Sequence, residues 1–356
     1  MTSPLGGPAG PLGGPLAGLG VRNPVLAAPM AGGPTTPALV LAAGRAGALG
    51  FLAAGYRTPE DLAGQIAAVR AGGGLFGVNV FAPNPVPVDS AAFREYAASL
   101  RADGEPYGLD LAGAGIVEND DHWADKLDLL LSDPVPVVSF TFGLPPRDTI
   151  AALRRAGSLV VQTVTSADEA RAAADAGVDA LVVQASAAGA HSGTFTPAVL
   201  PAAVPLPDLL RSVWQALPLP VPMFGAGGLA TADDVAAALG AGAVAVLAGT
   251  ALLRTDESGA SAVHKAALAE RAGAPTVVTR AFSGRPARAI RNRFVAEHHD
   301  DAPLGYPAVH HLTTPLRRAA AAAGDAERVN LWAGTGFRHA RTGPAEAVLT
   351  ELAAKA

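Results

Sequence analysis

Residues 221–250 read VPMFGAGGLATADDVAAALGAGAVAVLAGT, and they contain one complete repeat of the chain's main pattern. A short apolar run leads through a glycine-rich turn into an alanine-rich segment of helical period, and a second β-type run follows. Thr231 stands before two acidic residues and is expected to cap the helix, which Gly242 is expected to end. Such a strand, helix and strand predict a βα unit of a parallel sheet.

The same alternation recurs from about residue 24 onward. Further helix starts are expected at Thr36-Pro37, Thr58-Pro59 and Ser166-Ala167, where a capping side chain precedes a proline or an acidic first turn. Eight strands are predicted, over residues 25–28, 48–52, 76–80, 135–140, 158–162, 180–184, 221–224 and 243–247. Eight such units predict an α/β fold, a (β/α)8 TIM barrel.

Two regions are longer than the barrel requires. Residues 82–134 carry several prolines and are too long for one helix, which predicts a partial lid insertion over the barrel mouth. A long segment also follows the eighth strand. We therefore expect a flexible or wrapped N-terminal tail over residues 1–22, a cofactor-binding barrel over 23–270, and a smaller substrate-binding lobe over 271–356 that packs back on the barrel.

The composition excludes several classes of protein. The chain has 356 residues, of which 50% are hydrophobic and 16% charged, and its formal net charge is -5. It therefore lacks the basic footprint of a nucleic-acid-binding protein. Because there is no cysteine, disulfides, thiolate metal ligands and cysteine nucleophiles are excluded. No apolar run of about 18 residues and no secretory signal is recognisable, so we expect a soluble cytoplasmic enzyme.

Glycine-rich loops follow the last two predicted strands, where a barrel of this kind usually holds phosphate. After strand seven comes GAGG at residues 225–228, and after strand eight come Gly249 and Thr250. Backbone N–H groups can approach a phosphate closely there, and Thr250 can add a hydroxyl donor. The dinucleotide pattern also matches at residue 225, but no acid stands at the end of the next strand to hold a ribose. Tight turns without a ligand remain the other interpretation.

Three side chains at predicted strand ends are candidates for chemistry. His191 lies in a glycine-punctuated loop just after strand six, where its imidazole can exchange a proton near neutral pH. Gln184 and Asn79 close strands six and three with amides that both donate and accept hydrogen bonds, as the edge of a flavin ring requires. The structural alternative is that these amides only satisfy loop backbone.

Other polar motifs carry weaker signals. The histidine pairs at residues 298–299 and 310–311 are not expected to bind metal, because adjacent side chains point apart on a regular element. No Gly-x-Ser-x-Gly elbow is present, which disfavours a serine hydrolase. Arg285 and Arg288 are candidates for an anion clamp, with solvated surface arginines as the alternative.

Four segments together resemble the class I nitronate monooxygenases, formerly called 2-nitropropane dioxygenases. The resemblance extends over nearly the whole chain and includes the late segment LWAG at residues 331–334. The four segments are APMAGGPTTP at residues 28–37, DALVVQ with AGAHSG within residues 179–193, GAGG with LAGT within residues 225–250, and AFSGRPAR at residues 281–288.

This resemblance implies a flavoenzyme with FMN as its cofactor. The implied reaction is the oxidation of alkyl nitronates by O2 to a carbonyl compound and nitrite. His191 aligns with the family's histidine over the flavin, where it would hold the nitro group or remove the α-proton of a neutral nitroalkane. The implied FMN contacts are Met30, Asn79, Gln184, Gly189, Gly227, Gly228, Leu247, Ala248, Gly249 and Thr250.

One segment departs from the family pattern. The family commonly has G-x-E-A-G-G-H where this chain has ASAAGAH at residues 185–191, so the acid and a glycine are lost. We therefore expect a less basic His191 and a changed loop shape. Two alternatives stay open: an FMN-dependent enoyl-acyl carrier protein reductase that uses NAD(P)H, and a flavin-binding protein without turnover. The expected partners are a small-molecule substrate and O2, without nucleic acid or membrane, and the oligomeric state is open between monomer and homodimer.

Overall fold

The computed structural model describes residue 16 and residues 18–356. Its centre is a closed barrel of eight parallel strands, in which the first strand pairs with the last. All eight predicted strands are confirmed, with ends that differ by at most two residues. The barrel strands are β1 Val25–Ala27, β2 Gly50–Ala53, β3 Phe76–Phe81, β4 Val137–Thr141, β5 Leu159–Val164, β6 Ala180–Gln184, β8 Met223–Ala226 and β9 Ala245–Ala248; β7, Ala190–His191, lies outside the barrel.

Helices alternate with these strands, and each predicted capping residue is confirmed. The side chains of Thr36, Thr58, Ser166 and Thr231 each accept a hydrogen bond from a backbone N–H in the first helical turn. The α-helices are α1 Pro37–Arg45, α2 Pro59–Ala71, α3 Ser90–Ser99, α4 Arg101–Gly104, α5 Trp123–Ser132, α6 Arg147–Arg155, α7 Ala167–Ala176, α8 Leu206–Ala216, α9 Ala232–Gly240, α10 Ala262–Glu270, α11 Arg293–His298, α12 Ala308–Ala322 and α13 Ala345–Leu352.

Side-chain alternation along the strands builds two apolar layers. On β1, Leu26 points into the barrel, whereas Val25 and Ala27 join the layer between strands and helices. Leu16 and Val21, from the described part of the predicted N-terminal tail, also pack in the barrel interior. The rest of that tail, residues 1–15 and residue 17, lies outside the described residues.

A small antiparallel sheet stands beside the barrel mouth, and the sequence did not predict it. Its order is β10 (Thr276–Thr279), β11 (Ala287–Ile290) and β7, with His191 paired to Ala287. Strand β7 has only two residues and therefore shows no periodic signal. The sheet fixes the backbone of the histidine loop against the C-terminal part of the chain.

The insertion and the C-terminal part share one apolar core. Phe93 and Tyr96 of α3 pack in the same cluster as Phe282, Phe294 and Leu312. Helix α5, by contrast, packs on β3 and α2 and occupies a place in the barrel's helical ring. Only the first part of residues 82–134 thus contributes to the smaller lobe.

The last helix returns to the barrel. Helix α13 packs against α1, β1 and α9, which closes the ring of helices around the strands. The segment between β9 and α13 therefore forms part of the lobe, and α13 belongs again to the ring of helices around the barrel. The domain boundaries at residues 22 and 270 stay predictions. Among the described residues, no helix is both long and apolar enough to cross a membrane.

Candidate active site

One cavity lies between the carboxyl ends of the barrel strands and the lobe. Its volume is about 430 Å³, within the range of sites that hold small molecules or cofactors. Asn79, Gln184 and Leu247 line it from the barrel, and Arg317 and Trp332 line it from the lobe. Because the strands are parallel, their carboxyl ends meet at this one edge and bring residues distant in sequence together.

The two glycine loops present unpaired backbone donors to this cavity. Among the described residues, the N–H groups of Gly227, Gly228, Gly249 and Thr250 have no acceptor. Gly227 has a φ of 100°, and a Cβ there would lie 2.8 Å from the carbonyl oxygen of Ala185. Glycine is therefore needed to bring the loop this close. Converging backbone donors of this kind fit a phosphate group.

A segment of the lobe packs onto the same loops. The N–H of Gly334 donates to Oγ1 of Thr250 over 3.0 Å, and the N–H of Thr335 donates to the carbonyl of Ala187 over 3.0 Å. Since Thr250 accepts from Gly334, its own hydroxyl hydrogen stays available to a ligand. The lobe thus orients a donor of the predicted phosphate site.

Asn79 is fixed so that it offers an acceptor to the cavity. Its Nδ2 donates to Oγ of Ser139 over 2.9 Å and to Oγ1 of Thr141 over 3.0 Å. Its Oδ1 has no hydrogen-bond partner among the described residues. The residue therefore fits an N–H group on the edge of a flavin ring.

Gln184 mainly holds the histidine loop. Its Nε2 donates to the carbonyl of His191 over 3.2 Å, and its Oε1 accepts from the N–H of Gly193 over 2.7 Å. These bonds match the structural alternative that the sequence left open for this amide. The second Nε2 hydrogen is the part of Gln184 that remains for a ligand.

Two further predicted contacts differ in their access to the cavity. Met30 lines it, but its backbone N–H donates to Oγ1 of Thr35 and its carbonyl accepts from the N–H of Thr35. Ala248 is 1% exposed and packs in the layer between strands and helices. The strand period of two explains this, because Leu247 points into the barrel and its neighbour must point out.

His191 lies at the cavity wall among aromatic rings. The centroid of its ring is 5.5 Å from that of Phe142, 5.9 Å from that of Tyr306 and 5.6 Å from that of Trp332. Its Nε2 is 2.8 Å from Oγ of Ser283. Burial, with smaller effects from the charges of Arg285 and Arg317, lowers its pKa from 6.5 to about 3. The imidazole is therefore neutral at physiological pH.

The altered loop explains part of this chemistry. Ala190, which stands where the family commonly has glycine, has a φ of 61° and thus lies in the left-handed region that disfavours a side chain. Among the described residues, no carboxylate forms an ion pair with His191. A histidine without an acidic partner in a buried site is a weak base, as the loss of the family's acid led us to expect.

Arg317 supplies a positive charge to the cavity. Its guanidinium donates to Oγ1 of Thr313 over 3.1 Å, to Oγ1 of Thr314 over 2.7 Å and to the carbonyl of His310 over 3.0 Å. It forms no ion pair with a carboxylate among the described residues. Burial lowers its pKa from 12.5 to about 10, so it stays protonated at neutral pH. A cation without a carboxylate partner fits an anionic ligand.

The structure brings most of the predicted site residues together. Of the eleven, all except Ala248 line the cavity. Arg285 and Arg288 do not line it: Arg285 is fully buried beside the ring of Phe142, and Arg288 donates to the carbonyl of Ser186. The sequence left these two arginines open between an anion clamp and solvated surface positions. In the structure they make contacts within the protein.

Sequence reasoning missed Arg317 and His310 as cavity residues. His310 was considered only as one of two adjacent histidines, yet it lies at the cavity wall and stacks on Tyr56 with ring centroids 4.1 Å apart. His310 and Arg317 are seven residues apart on α12, two helical turns, so the helical period was the signal that groups them.

The closed barrel, with backbone donors at its last two strand ends, is typical of a TIM-barrel enzyme with its active site at the carboxyl ends of the strands. The family model described as nitronate monooxygenase matches residues 15–355, and the chain belongs to this family. The family resemblance seen in the sequence is thereby confirmed, and the chain is an oxidoreductase. Its family is flavin-dependent.

Similar proteins agree with this assignment. A probable nitronate monooxygenase of Staphylococcus aureus strain Newman is 35% identical over 339 residues, covering 94% of each chain. A crystal structure of nitroalkane oxidase from Streptomyces ansochromogenes is 46% identical with a TM-score of 0.88, covering 94% of this chain and 96% of the other. FabK from Thermotoga maritima is 26% identical with a TM-score of 0.72, covering 93% of this chain and 92% of its own.

Proposed function

We propose that this chain binds FMN and oxidises alkyl nitronates with O2 to a carbonyl compound and nitrite. The observation that carries the proposal is the continuity of the cavity. One chamber reaches the unpaired backbone donors of Gly228 and Gly249 and also the side chains of His191 and Arg317. Cofactor and substrate therefore have room to meet.

The residues present fit FMN. The glycine loops supply N–H donors for a terminal phosphate, and Thr250 adds a hydroxyl. Asn79 offers a fixed acceptor for a ring N–H, and the second Nε2 hydrogen of Gln184 offers a donor for a ring carbonyl. When bound, the flavin supplies the redox chemistry by taking electrons from the substrate and passing them to O2.

The other wall of the cavity fits a nitronate anion. Arg317 offers an unpaired positive charge, which attracts the two negative oxygens of a nitronate. The rings of Phe142, Tyr306 and Trp332 pack around His191 and give this wall an apolar surface. An alkyl group packs against such rings without losing hydrogen bonds.

The test begins with the purified protein and its cofactor. Heat-released flavin should run with FMN and not with FAD in chromatography. With propyl-2-nitronate in air, the protein should consume O2 and release nitrite and acetone in equal amounts. His191→Asn should lose most of the activity on neutral nitroethane and less of that on the nitronate, and His299→Asn at an exposed position, a matched control, should keep both. Oxidation of NADH in place of nitronate, or protein that takes up no FMN, would contradict the proposal.

A further inference from the structure

Ser283 is the only side chain among the described residues that hydrogen-bonds the imidazole of His191. Its Oγ lies 2.8 Å from Nε2, across 92 positions of sequence. The Nδ1 atom has no partner among the described residues, and it is not among the atoms sealed from solvent. The imidazole thus has one nitrogen fixed by protein and one without a protein partner, at the wall of the cavity that His191 lines.

The backbone around Ser283 is held on both sides. The hydroxyl of Tyr96 donates to the carbonyl of Ala281 over 2.6 Å, and Thr313 Oγ1 donates to the carbonyl of Phe282. The carbonyl of Gly284 accepts from the N–H of Gly305 over 3.1 Å. Ser283 itself is 1% exposed. Its hydroxyl oxygen therefore has one well-defined position relative to the histidine.

The hydroxyl hydrogen of Ser283 has two possible acceptors. It can point to Nε2, or it can point to the carbonyl oxygen of Arg285, which lies 3.3 Å from Oγ. That carbonyl belongs to a fully buried residue and has no other donor among the described residues. A buried carbonyl without a donor destabilises the folded state. Only the second orientation gives the carbonyl of Arg285 a hydrogen-bond donor.

The second orientation also satisfies the histidine. With its hydrogen on the carbonyl of Arg285, Oγ accepts from Nε2–H of His191 and from the N–H of Arg285, 3.4 Å away. Since the imidazole is neutral, a proton on Nε2 leaves Nδ1 without one. The hydroxyl of Ser283, the backbone N–H and carbonyl of Arg285 and Nε2 of His191 then all have partners, whereas Nε and Nη1 of the Arg285 guanidinium stay buried without one.

The geometry points to Ser283 as a positioning residue that fixes His191 as the Nε2–H tautomer and aims the bare Nδ1 into the cavity. The imidazole is thereby prepared to accept a proton and not to donate one.

The consequence for substrates rests on the proposed function. A neutral nitroalkane carries the proton that Nδ1 lacks. When Nδ1 takes it, the Cα–H bond breaks, its electron pair stays on the substrate as the nitronate anion, and the imidazole becomes a cation that keeps Nε2–H on Ser283. Charge is conserved, because one cation and one anion form together. Because the pKa of His191 is low, this transfer is less favourable than binding a preformed nitronate, and we expect neutral nitroalkanes to react more slowly than nitronates.

The first experiment reads the tautomer directly. In holoprotein labelled with ¹⁵N-histidine, a long-range ¹H–¹⁵N correlation spectrum separates protonated from bare ring nitrogens. The His191 pattern is assigned by its absence in His191→Asn. We expect a protonated Nε2 and a bare Nδ1, whereas a protonated Nδ1 in the unaltered protein overturns the inference. This readout needs neither substrate nor a Ser283 variant.

The second experiment tests Ser283 against a matched neighbour. Ser283→Ala should give a mixture of both tautomers and lower kcat on nitroethane about tenfold with little change in KM. Propyl-2-nitronate, which has no α-proton to lose, should be affected less. Ser192→Ala is the control. Ser192 directly follows His191, and its hydroxyl is buried without a hydrogen-bond partner among the described residues.

The outcomes separate the two proposals. Equal loss of nitroethane turnover in Ser283→Ala and Ser192→Ala, with the tautomer unchanged in both, overturns the positioning role. The expected tautomer in a protein that turns over neither nitro compound leaves the assignment of Ser283 standing and contradicts the proposed function.

Discussion

The N–H of Gly334 donates to the hydroxyl of Thr250 over 3.0 Å, although 84 positions of sequence separate them. This bond joins the lobe to the loop that follows the last barrel strand. Because the hydroxyl accepts from Gly334, its own hydrogen stays free for an acceptor in the cavity that Thr250 lines.

Replacing Thr250 tests the phosphate site. Thr250→Val keeps the shape but removes both the acceptor for Gly334 and the donor for a ligand. We expect the Kd for FMN, measured by fluorescence titration of apoprotein, to rise about tenfold. Thr250→Ser keeps the hydroxyl and should bind nearly as well as the unaltered protein. Equal binding by the valine variant would remove Thr250 from the site.

Gly189 tests the close contact between the histidine loop and the lobe. A Cβ at this position would lie 2.6 Å from the nitrogen of Gly334 and 2.7 Å from the carbonyl carbon of Ala333, and backbone cannot move aside cheaply. Gly189→Ala should therefore lower the free energy of unfolding by about 1–3 kcal/mol and lower the flavin content.

A matched glycine provides the control for this variant. Gly64 lies within α2, and a Cβ there would meet nothing within 4 Å. Gly64→Ala should raise stability by about 0.5–1 kcal/mol, because alanine restricts the unfolded chain and favours helix. Urea unfolding measures both variants, and a Gly189→Ala protein as stable as the unaltered one would contradict the contact.

Arg317 tests the binding of an anion. Arg317→Gln should raise KM for propyl-2-nitronate about 10- to 100-fold, the value of a charge-assisted hydrogen bond, and should change KM for neutral nitroethane much less. Arg317→Lys should recover part of the loss. Arg211→Gln on the exposed face of α8 is the control for a lost surface charge. An equal effect on both substrates would mean that Arg317 acts on the fold and not on the anion.

His264 tests the effect of pH on stability. Burial is the main cause that lowers its pKa from 6.5 to about 4, while its Nε2 bonds the carbonyl of Trp332. Between these two values the unfolded state binds more protons, so stability falls as pH falls from about 6.5 toward 4. This residue alone should cost about 2 kcal/mol between pH 7 and pH 5.

The measurement is urea unfolding at both pH values. His264→Gln should show a smaller loss of stability on acidification than the unaltered protein. His299→Gln, at an exposed position, is the control for the loss of a histidine side chain as such. Identical pH dependence in the His264 variant would contradict the burial argument.

The barrel was predictable because its signals are local and repeated. The strand runs, the caps at Thr36 and Thr231, and the glycine loops at 225–228 and 249 each act within a few residues. His191 was predictable for the same reason, since its loop directly follows β6. Strand alternation places the side chain of Ala248 away from the cavity, and its contact with FMN stays a prediction that only its backbone could fulfil.

The remaining parts of the site depend on long-range contacts. Ser283 meets His191 across 92 positions, and β7 exists only because β11 pairs with it. Neither leaves a local pattern in the sequence. Arg317 lies on an alanine-rich helix whose inner face cannot be chosen before the lobe is placed. Physical reasoning on the sequence therefore finds the glycine loops at the cavity but not the wall that the C-terminal lobe forms.

The most direct test of the account is an anaerobic titration of the purified flavoprotein with propyl-2-nitronate, followed by absorbance. We predict that the bands of oxidised flavin decrease as nitronate is added, that NADH leaves them unchanged, and that they return on admission of air with release of nitrite. Flavin bands that are unchanged by the nitronate and disappear with NADH would contradict nitronate oxidation and indicate a pyridine-nucleotide-dependent reductase.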